Sequence, residues 1–265
     1  MRGPDRGSEP RVPSFSTILR VARTAAHAGG ARTLEWFGRR ITPQTKPDGS
    51  PVTPADRASE REIRRVIRQA FPTHAILGEE GGLTPGTARV RWTIDPIDGT
   101  VSFIHGVPVY AVLVAAEVDG VPAAGVIHLP ALGETVDAAR GLGCRWNGRR
   151  ARVSSTQKLS EATVLTTSVR ALESEGIPFR RVASRTRRQR GWGDAYGHAL
   201  VATGRADAMI DPGLKRWDVA PLFPILCEAG GEITDWRGLP EPTSENFVSS
   251  NGMVHAALLR LLRSR

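Results

Sequence analysis

Cysteine, lysine and aromatic residues are all scarce in this 265-residue chain, and each shortage closes off a class of function. The two cysteines, Cys144 and Cys227, stand in neither a CxxC nor a Cys/His spacing. That argues against a zinc site and a disulfide framework, so both are expected to pack as small buried apolar residues. No apolar run approaches the ~20 residues that span a bilayer, so no membrane partner is expected. The first residues, Met1-Arg-Gly-Pro-Asp-Arg, lack the apolar core of a secretory signal, and the expected location is cytoplasmic. No GxxxxGK[ST] loop, GxSxG elbow or HExxH helix occurs, and Gly191-x-Gly193 follows no convincing strand. Lysine is confined to Lys46, Lys158 and Lys215, so the formal charge of +9 is almost all arginine. The arginines are scattered, apart from a cluster between Arg180 and Arg190. That cluster reads as a solvated loop able to steer an anionic substrate, and a nucleic-acid partner is not expected.

What is present is an ordinary globular pattern of strands and helices. Residues 1–13, rich in Pro, Gly, Arg and Ser, read as a disordered tail. An amphipathic helix is expected from Ser14 to Phe37, with Gly29-Gly30 as a point of interruption. Thr53-Pro54-Ala55-Asp56 starts a second helix, with Thr53 as N-cap, Pro54 first and Asp56 as capping-box acid; Phe71-Pro72 ends it. Strands are expected at 75–77, 90–94, 110–118, 123–129 and 135–139, with a hairpin turn at Asp119-Gly120. The second half alternates: strands at 163–168, 206–210 and from 232, helices at 195–203, 219–229 (kinked at Pro224) and 254–262. The fold class is α/β, in layered sheets forming two lobes, about 14–150 and 151–265.

The chemistry concentrates in Trp92-Thr-Ile-Asp95-Pro-Ile-Asp98-Gly-Thr100. Two carboxylates three residues apart end an apolar strand, and Pro96 fixes the backbone between them. The Ile97 carbonyl is a further hard oxygen, which suits Mg²⁺. Gly99 lets backbone approach a phosphate, and Thr100 adds a hydroxyl. Glu79 and Glu80 end another apolar strand, where α/β folds bind ligands. Asp218 has a local role as a helix N-cap, and it can also face a metal from the second lobe. Asp56 has the capping-box role, and it can also polarise the Thr100 hydroxyl. Together these point to a Mg²⁺-dependent phosphomonoesterase.

Gly78-Glu79-Glu80, Asp95-Pro-Ile-Asp-Gly-Thr100, and Trp217-Asp-Val-Ala220 with Glu228-Ala-Gly-Gly231 resemble the inositol monophosphatase-like family, over essentially residues 14–265. The resemblance implies a layered α/β/α/β/α sandwich, commonly a homodimer, binding two or three Mg²⁺. It implies metal ligation by Glu79, Asp95, Asp98, Asp218 and the Ile97 carbonyl. Glu79, Asp56 and Thr100 would activate the attacking water, and Lys46 would lie on a mobile loop near the metals.

Within the family the pattern is most similar to the histidinol-phosphatases. Thr45-Lys-Pro-Asp-Gly-Ser-Pro-Val-Thr53, Val101-Ser-Phe103 and Arg190-Gly-Trp-Gly-Asp194-Ala-Tyr-Gly-His carry this. Asp194 stands where inositol phosphatases have a small neutral residue, and Asp211 where they place a glutamate. A carboxylate ~4 Å from a cation gains up to roughly 4 kcal/mol at an effective dielectric near 20, against about 1 kcal/mol for a neutral hydrogen bond. Extra acids therefore favour a cationic leaving group, although Asp194 also reads as a helix N-cap. Ile97, Asp98, Gly99, Thr100, Arg190, Asp194, Asp211 and Asp218 form the expected substrate set, for a small phosphorylated substrate. The alternatives are inositol 1-phosphate or another sugar or nucleotide phosphate, and, from another class, a non-catalytic arginine-rich nucleic-acid binder.

Overall fold

A computed structural model describes residues 12–263. Helix α1 (Phe15–Leu34) is capped by Ser14 and runs unbroken through Gly29-Gly30. The glycines are there for close packing. A Cβ on Gly29 would lie 2.6 Å from Ile63, and one on Gly30 2.6 Å from His128. The expected tail begins with residues outside the described range, but Val12 already packs on the core. A short hairpin, β1 (Gln44–Thr45) and β2 (Pro51–Val52), leads to α2 (Pro54–Ala70), whose Thr53–Asp56 capping box forms as read from sequence.

Strands β3 (Ala75–Gly78), β4 (Gly82–Thr84) and β5 (Val90–Asp98) follow, then the short helix α3 (Thr100–Ile104). The meander β6 (Ala111–Val118), β7 (Val121–Leu129), β8 (Glu134–Ala139), β9 (Gly143–Trp146) and β10 (Arg149–Arg150) completes an eight-stranded sheet in the order β10-β9-β8-β7-β6-β5-β3-β4. Asp119 and Gly120 both adopt positive φ, which fits the tight β6–β7 turn.

The second sheet contains β11 (Thr163–Thr166), β12 (Arg188–Arg190), β13 (Ala208–Asp211), β14 (Glu232–Asp235) and β15 (Phe247–Ser250), ordered β12-β11-β13-β15-β14. Its helices are α4 (Val169–Ser174), α5 (Phe179–Ala183), α6 (Asp194–Ala202), α7 (Arg216–Glu228) and α8 (His255–Arg263). The Arg180–Arg190 stretch is therefore a helix and an edge strand rather than a plain loop. Strand β15 and the small helices escaped the sequence reading.

Side-chain alternation stacks the layers, because successive strand residues face opposite ways. On β6, Val112, Val114 and Ala116 join α1 and α2 in one core cluster. Ala111 and Leu113 face the other way, toward α6, α7 and the second sheet. On β13, Met209 enters that shared core, while Ala208 and Ile210 pack with α4, α5 and α8. The result is α/β/α/β/α. The central core draws on both halves of the chain, pairing Leu113 and Ile127 with Leu165 and Met209. Cys144 belongs to this core as expected, whereas Cys227 is exposed at the end of α7, so the expectation of burial fails for it. No helix among the described residues is long and apolar enough to cross a membrane.

Candidate active site

The carboxyl ends of β3 and β5 lie side by side, since these strands pair in parallel with Gly78 opposite Ile94. That register brings Glu79 beside Asp95. Past Asp95 the β5–β6 pairing shifts register, and the bulge turns Pro96 and Ile97 out of the ladder. Asp95 Oδ1 accepts the Ile97 N–H at 2.9 Å, fixing this turn. Helix α7 packs across β5, β6 and β7. Its Asp218 therefore meets the β5 acids, and oxygens of Asp95, Asp98 and Asp218 all lie within 4.8 Å of one another. Asp218 is not the N-cap expected from sequence. Lys215 holds the cap, and Asp218, three residues on, accepts the Lys215 N–H at 2.8 Å.

Burial, reinforced by same-sign crowding, sets the electrostatics. Burial raises the Asp95 carboxyl well above its ordinary value, and Glu79, Asp218 and Asp98 add to it. Burial likewise lifts Asp98, with Asp194 and Asp218 reinforcing it. Asp218 is pushed up to about 7, first by burial and then by Glu79 and Asp211, against hydrogen bonds from Lys215 and Asp95. Asp98 Oδ2 also accepts the Ala195 N–H at 2.6 Å, at the positive end of α6. On the Glu79 side, the Lys46 ammonium lies 2.7 Å from Glu79 and 2.5 Å from Glu80. Burial works against its charge, but these two contacts outweigh burial and raise its pKa above the ordinary value. Asp95, Asp98 and Asp218, with Glu79 beside Asp95, offer only oxygen donors, which fits a hard divalent cation whose charge would relieve this crowding.

The other expected residues fall around this cluster. Gly99 adopts φ +79°, and a Cβ there would lie 2.9 Å from Asp194 Oδ2. Thr100 opens α3, and its hydroxyl donates to the Ile97 carbonyl at 3.0 Å. Asp56 does not bond to Thr100. Its Oδ2 accepts the Thr53 N–H at 2.7 Å and the Thr53 hydroxyl at 2.6 Å, while the buried Oδ1 has no partner. Burial lifts Asp56 to about 6 against those Thr53 bonds, and Glu80 and Glu79 add to the rise.

Asp194 is the first residue of α6, with Gly193 as N-cap, so its expected capping role is not the observed one. It sits at φ +55°, a backbone region a non-glycine residue enters at some cost, and its N–H donates to Thr167 Oγ1 at 2.8 Å. Burial and then Asp211 raise its carboxyl to about 6, while His198 pulls it down. Asp211 is buried, 3.3 Å from His198 Nε2, and is not among the residues lining the cavity in front of the cluster. Arg190 does not line it either; its guanidinium donates to the Gln189 carbonyl. That cavity, about 890 Å³, is bounded by Glu79, Gly99, Thr100, Asp194 and the 191–193 turn.

Sequence reasoning missed Glu60. It is 3 % exposed, and its carboxylate accepts the N–H groups of Glu80 at 2.8 Å and Gly81 at 2.9 Å. Arg64 Nε donates to it at 2.7 Å. A Cβ on Gly78 would lie 2.5 Å from this carboxylate, so Glu60 and Gly78 together fix the turn that carries Glu79. The signal was available: Glu60 shares the inward stripe of α2 with Asp56, Ile63 and Ile67. His198, which also contacts Ser249 Oγ at 2.8 Å, left no comparable trace.

An acidic cluster of this kind at the strand ends of a five-layer sandwich, opening on a cavity with a free helix N-terminus, defines a phosphoric monoester hydrolase. Residues 15–265 match the model of the inositol monophosphatase family, and the chain belongs to that family. Among curated relatives, it is 42% identical to a histidinol-phosphatase from Chlorobaculum parvum, covering 90% of this chain and 91% of that protein. It is 38% identical to a fructose-1,6-bisphosphatase/inositol-1-monophosphatase from Thermotoga maritima, over 80% of this chain and 82% of that one. The crystal structure of the extragenic suppressor protein suhB from Bartonella henselae superposes with a TM-score of 0.88 at 30% identity, covering 94% of this chain and 99% of that one.

Proposed function

We propose that this chain hydrolyses L-histidinol phosphate to L-histidinol and inorganic phosphate, a step of histidine biosynthesis, with Mg²⁺ as its metal. The observation that carries the substrate assignment is Asp194, a carboxylate lining the same cavity as Gly99 and Thr100. A leaving group bearing an amine and a partly protonated imidazole gains from a carboxylate there, while a neutral polyol gains far less. The 42% identity to a protein named histidinol-phosphatase supports the same reading.

Glu79, Asp95, Asp98 and Asp218, with the Ile97 carbonyl, would hold the cations, which would supply charge neutralisation and a more acidic water. The chain does the rest. The N–H groups opening α3 face the phosphoryl oxygens, in a segment with no side-chain cap. The unpartnered Oδ1 of Asp56 accepts the proton that the attacking water loses through the Thr100 hydroxyl, once that hydroxyl turns from the Ile97 carbonyl. The new P–O bond forms from water, the ester P–O bond breaks, and the leaving alkoxide takes a proton from a solvent water, which the proton released by Asp56 replaces. The reading includes a cytoplasmic homodimer, with neither nucleic acid nor membrane as partner.

The test is phosphate release from L-histidinol phosphate and inositol 1-phosphate side by side, with and without Mg²⁺. At least a tenfold preference in kcat/KM for histidinol phosphate is expected, abolished without metal. A preference for inositol 1-phosphate sinks the substrate assignment.

A further inference from the structure

The cavity in front of the acidic cluster has an apolar side that phosphate chemistry leaves unexplained. Val101, Val107 and Trp192 line it, and all three are strongly exposed, at 60%, 43% and 46%. Large apolar side chains exposed together at a site filled with carboxylates mark a surface meant to be covered. Trp192 is the most informative of them. Its backbone is pinned on both sides. A Cβ on Gly193 would meet the Thr167 Cα at 2.5 Å, and one on Gly197 would meet the Trp192 carbonyl at 2.5 Å. The next residue, Asp194, is tied to Thr167 Oγ1. A fixed backbone with an exposed indole presents that ring at a set place instead of letting it drift on a loose loop.

We propose that Trp192, flanked by Val101 and Val107, is a specificity residue that packs against a flat ring in the leaving group, while Asp194 in the same cavity takes its positive charge. The substrate class is then a phosphate ester of an amino alcohol bearing an aromatic heterocycle. This rests on the reading of the site as one for histidinol phosphate, and it adds the part of the molecule that the carboxylates cannot select. A polyol covering the same wall would strip water from its hydroxyls without replacing their hydrogen bonds. A ring stacked on an indole gains instead, by roughly a factor of ten in affinity.

The experiment is calorimetric titration of the whole chain in Mg²⁺ with L-histidinol, which carries the ring and the amine, and with inorganic phosphate, which carries neither. Trp192→Ala is expected to weaken L-histidinol about tenfold relative to phosphate, and Trp192→Phe to recover most of that loss. Equal weakening of both ligands, no weakening, or no binding of L-histidinol to the wild type overturns the proposal. If L-histidinol binding depends on Trp192 but turnover favours inositol 1-phosphate, the substrate assignment falls alone and the ring wall stands.

Discussion

Glu60 is the position where a small chemical change should be felt at a distance from the chemistry. Glu60→Gln keeps the shape but replaces one carboxylate oxygen by an NH₂ group. The carboxylate takes three donors: Glu80 N–H on Oε2, and Gly81 N–H with Arg64 Nε on Oε1. In the glutamine one of these sides faces donor to donor, and the charge assistance is gone for all three. Losing one charge-assisted bond costs ~1.5–3 kcal/mol, and leaving Arg64 without its buried partner adds to this. A total near 3 kcal/mol lowers Tm by roughly 5–6 °C in a domain of this size. The turn so loosened carries Glu79, so Mg²⁺ affinity should fall about 10–100-fold, the usual cost of losing a group that orients a ligand. Thermal unfolding with and without Mg²⁺, and calorimetric Mg²⁺ titration, measure both effects. A variant that loses stability but binds Mg²⁺ as the wild type does would refute the link between Glu60 and Glu79.

Other perturbations have equally definite outcomes. Gly99→Ala places a Cβ at φ +79° and 2.9 Å from Asp194 Oδ2, so kcat/KM should drop at least tenfold in steady-state assays. EDTA should abolish phosphate release and added Mg²⁺ restore it. Because Asp218 is held up to about 7, apparent Mg²⁺ affinity by titration should rise with pH between 5 and 8 as its proton is lost. Burial lowers His128 and His255 to about 4. Above pH 6.5 both are neutral folded or unfolded. Between 6.5 and 4 the unfolded chain takes up protons at these two positions that the folded one refuses, while the raised carboxyls of Asp56, Asp194 and Asp218 work the other way, so it is the urea midpoint of the wild type relative to His255→Gln that should fall across that window and level off below it.

The β5 acids were legible because strand end, proline and glycine are all local in sequence, and the capping box at Thr53 was legible for the same reason. Asp218 was found by its motif, but its place at the third helical position instead of the cap depends on where α7 begins. That start falls at Lys215, a residue type with no capping preference to mark it in the sequence. Strand β15 went unread because Phe247–Ser250 is short and ends in serines. Its strand character comes from pairing with β13 and β14 on both sides, which no local pattern announces. Gly29-Gly30 misled in the opposite direction: the helix-weakening residue is what lets α1 lie close to α2. Asp211 shows the same limit, since its retreat toward His198 is a tertiary fact.

Three of the four acids that would hold the metal lie within twenty residues of one another, and the fourth, Asp218, arrives on α7 after more than a hundred further residues. During synthesis the first sheet can assemble while those residues are still being made, yet it has no complete set of carboxylates to close around a cation. The crowding of like charges therefore reaches its full extent only when α7 docks and adds Asp218 to Glu79, Asp95 and Asp98. A cation held by all four acids would then favour the chain in which α7 has docked on the first sheet.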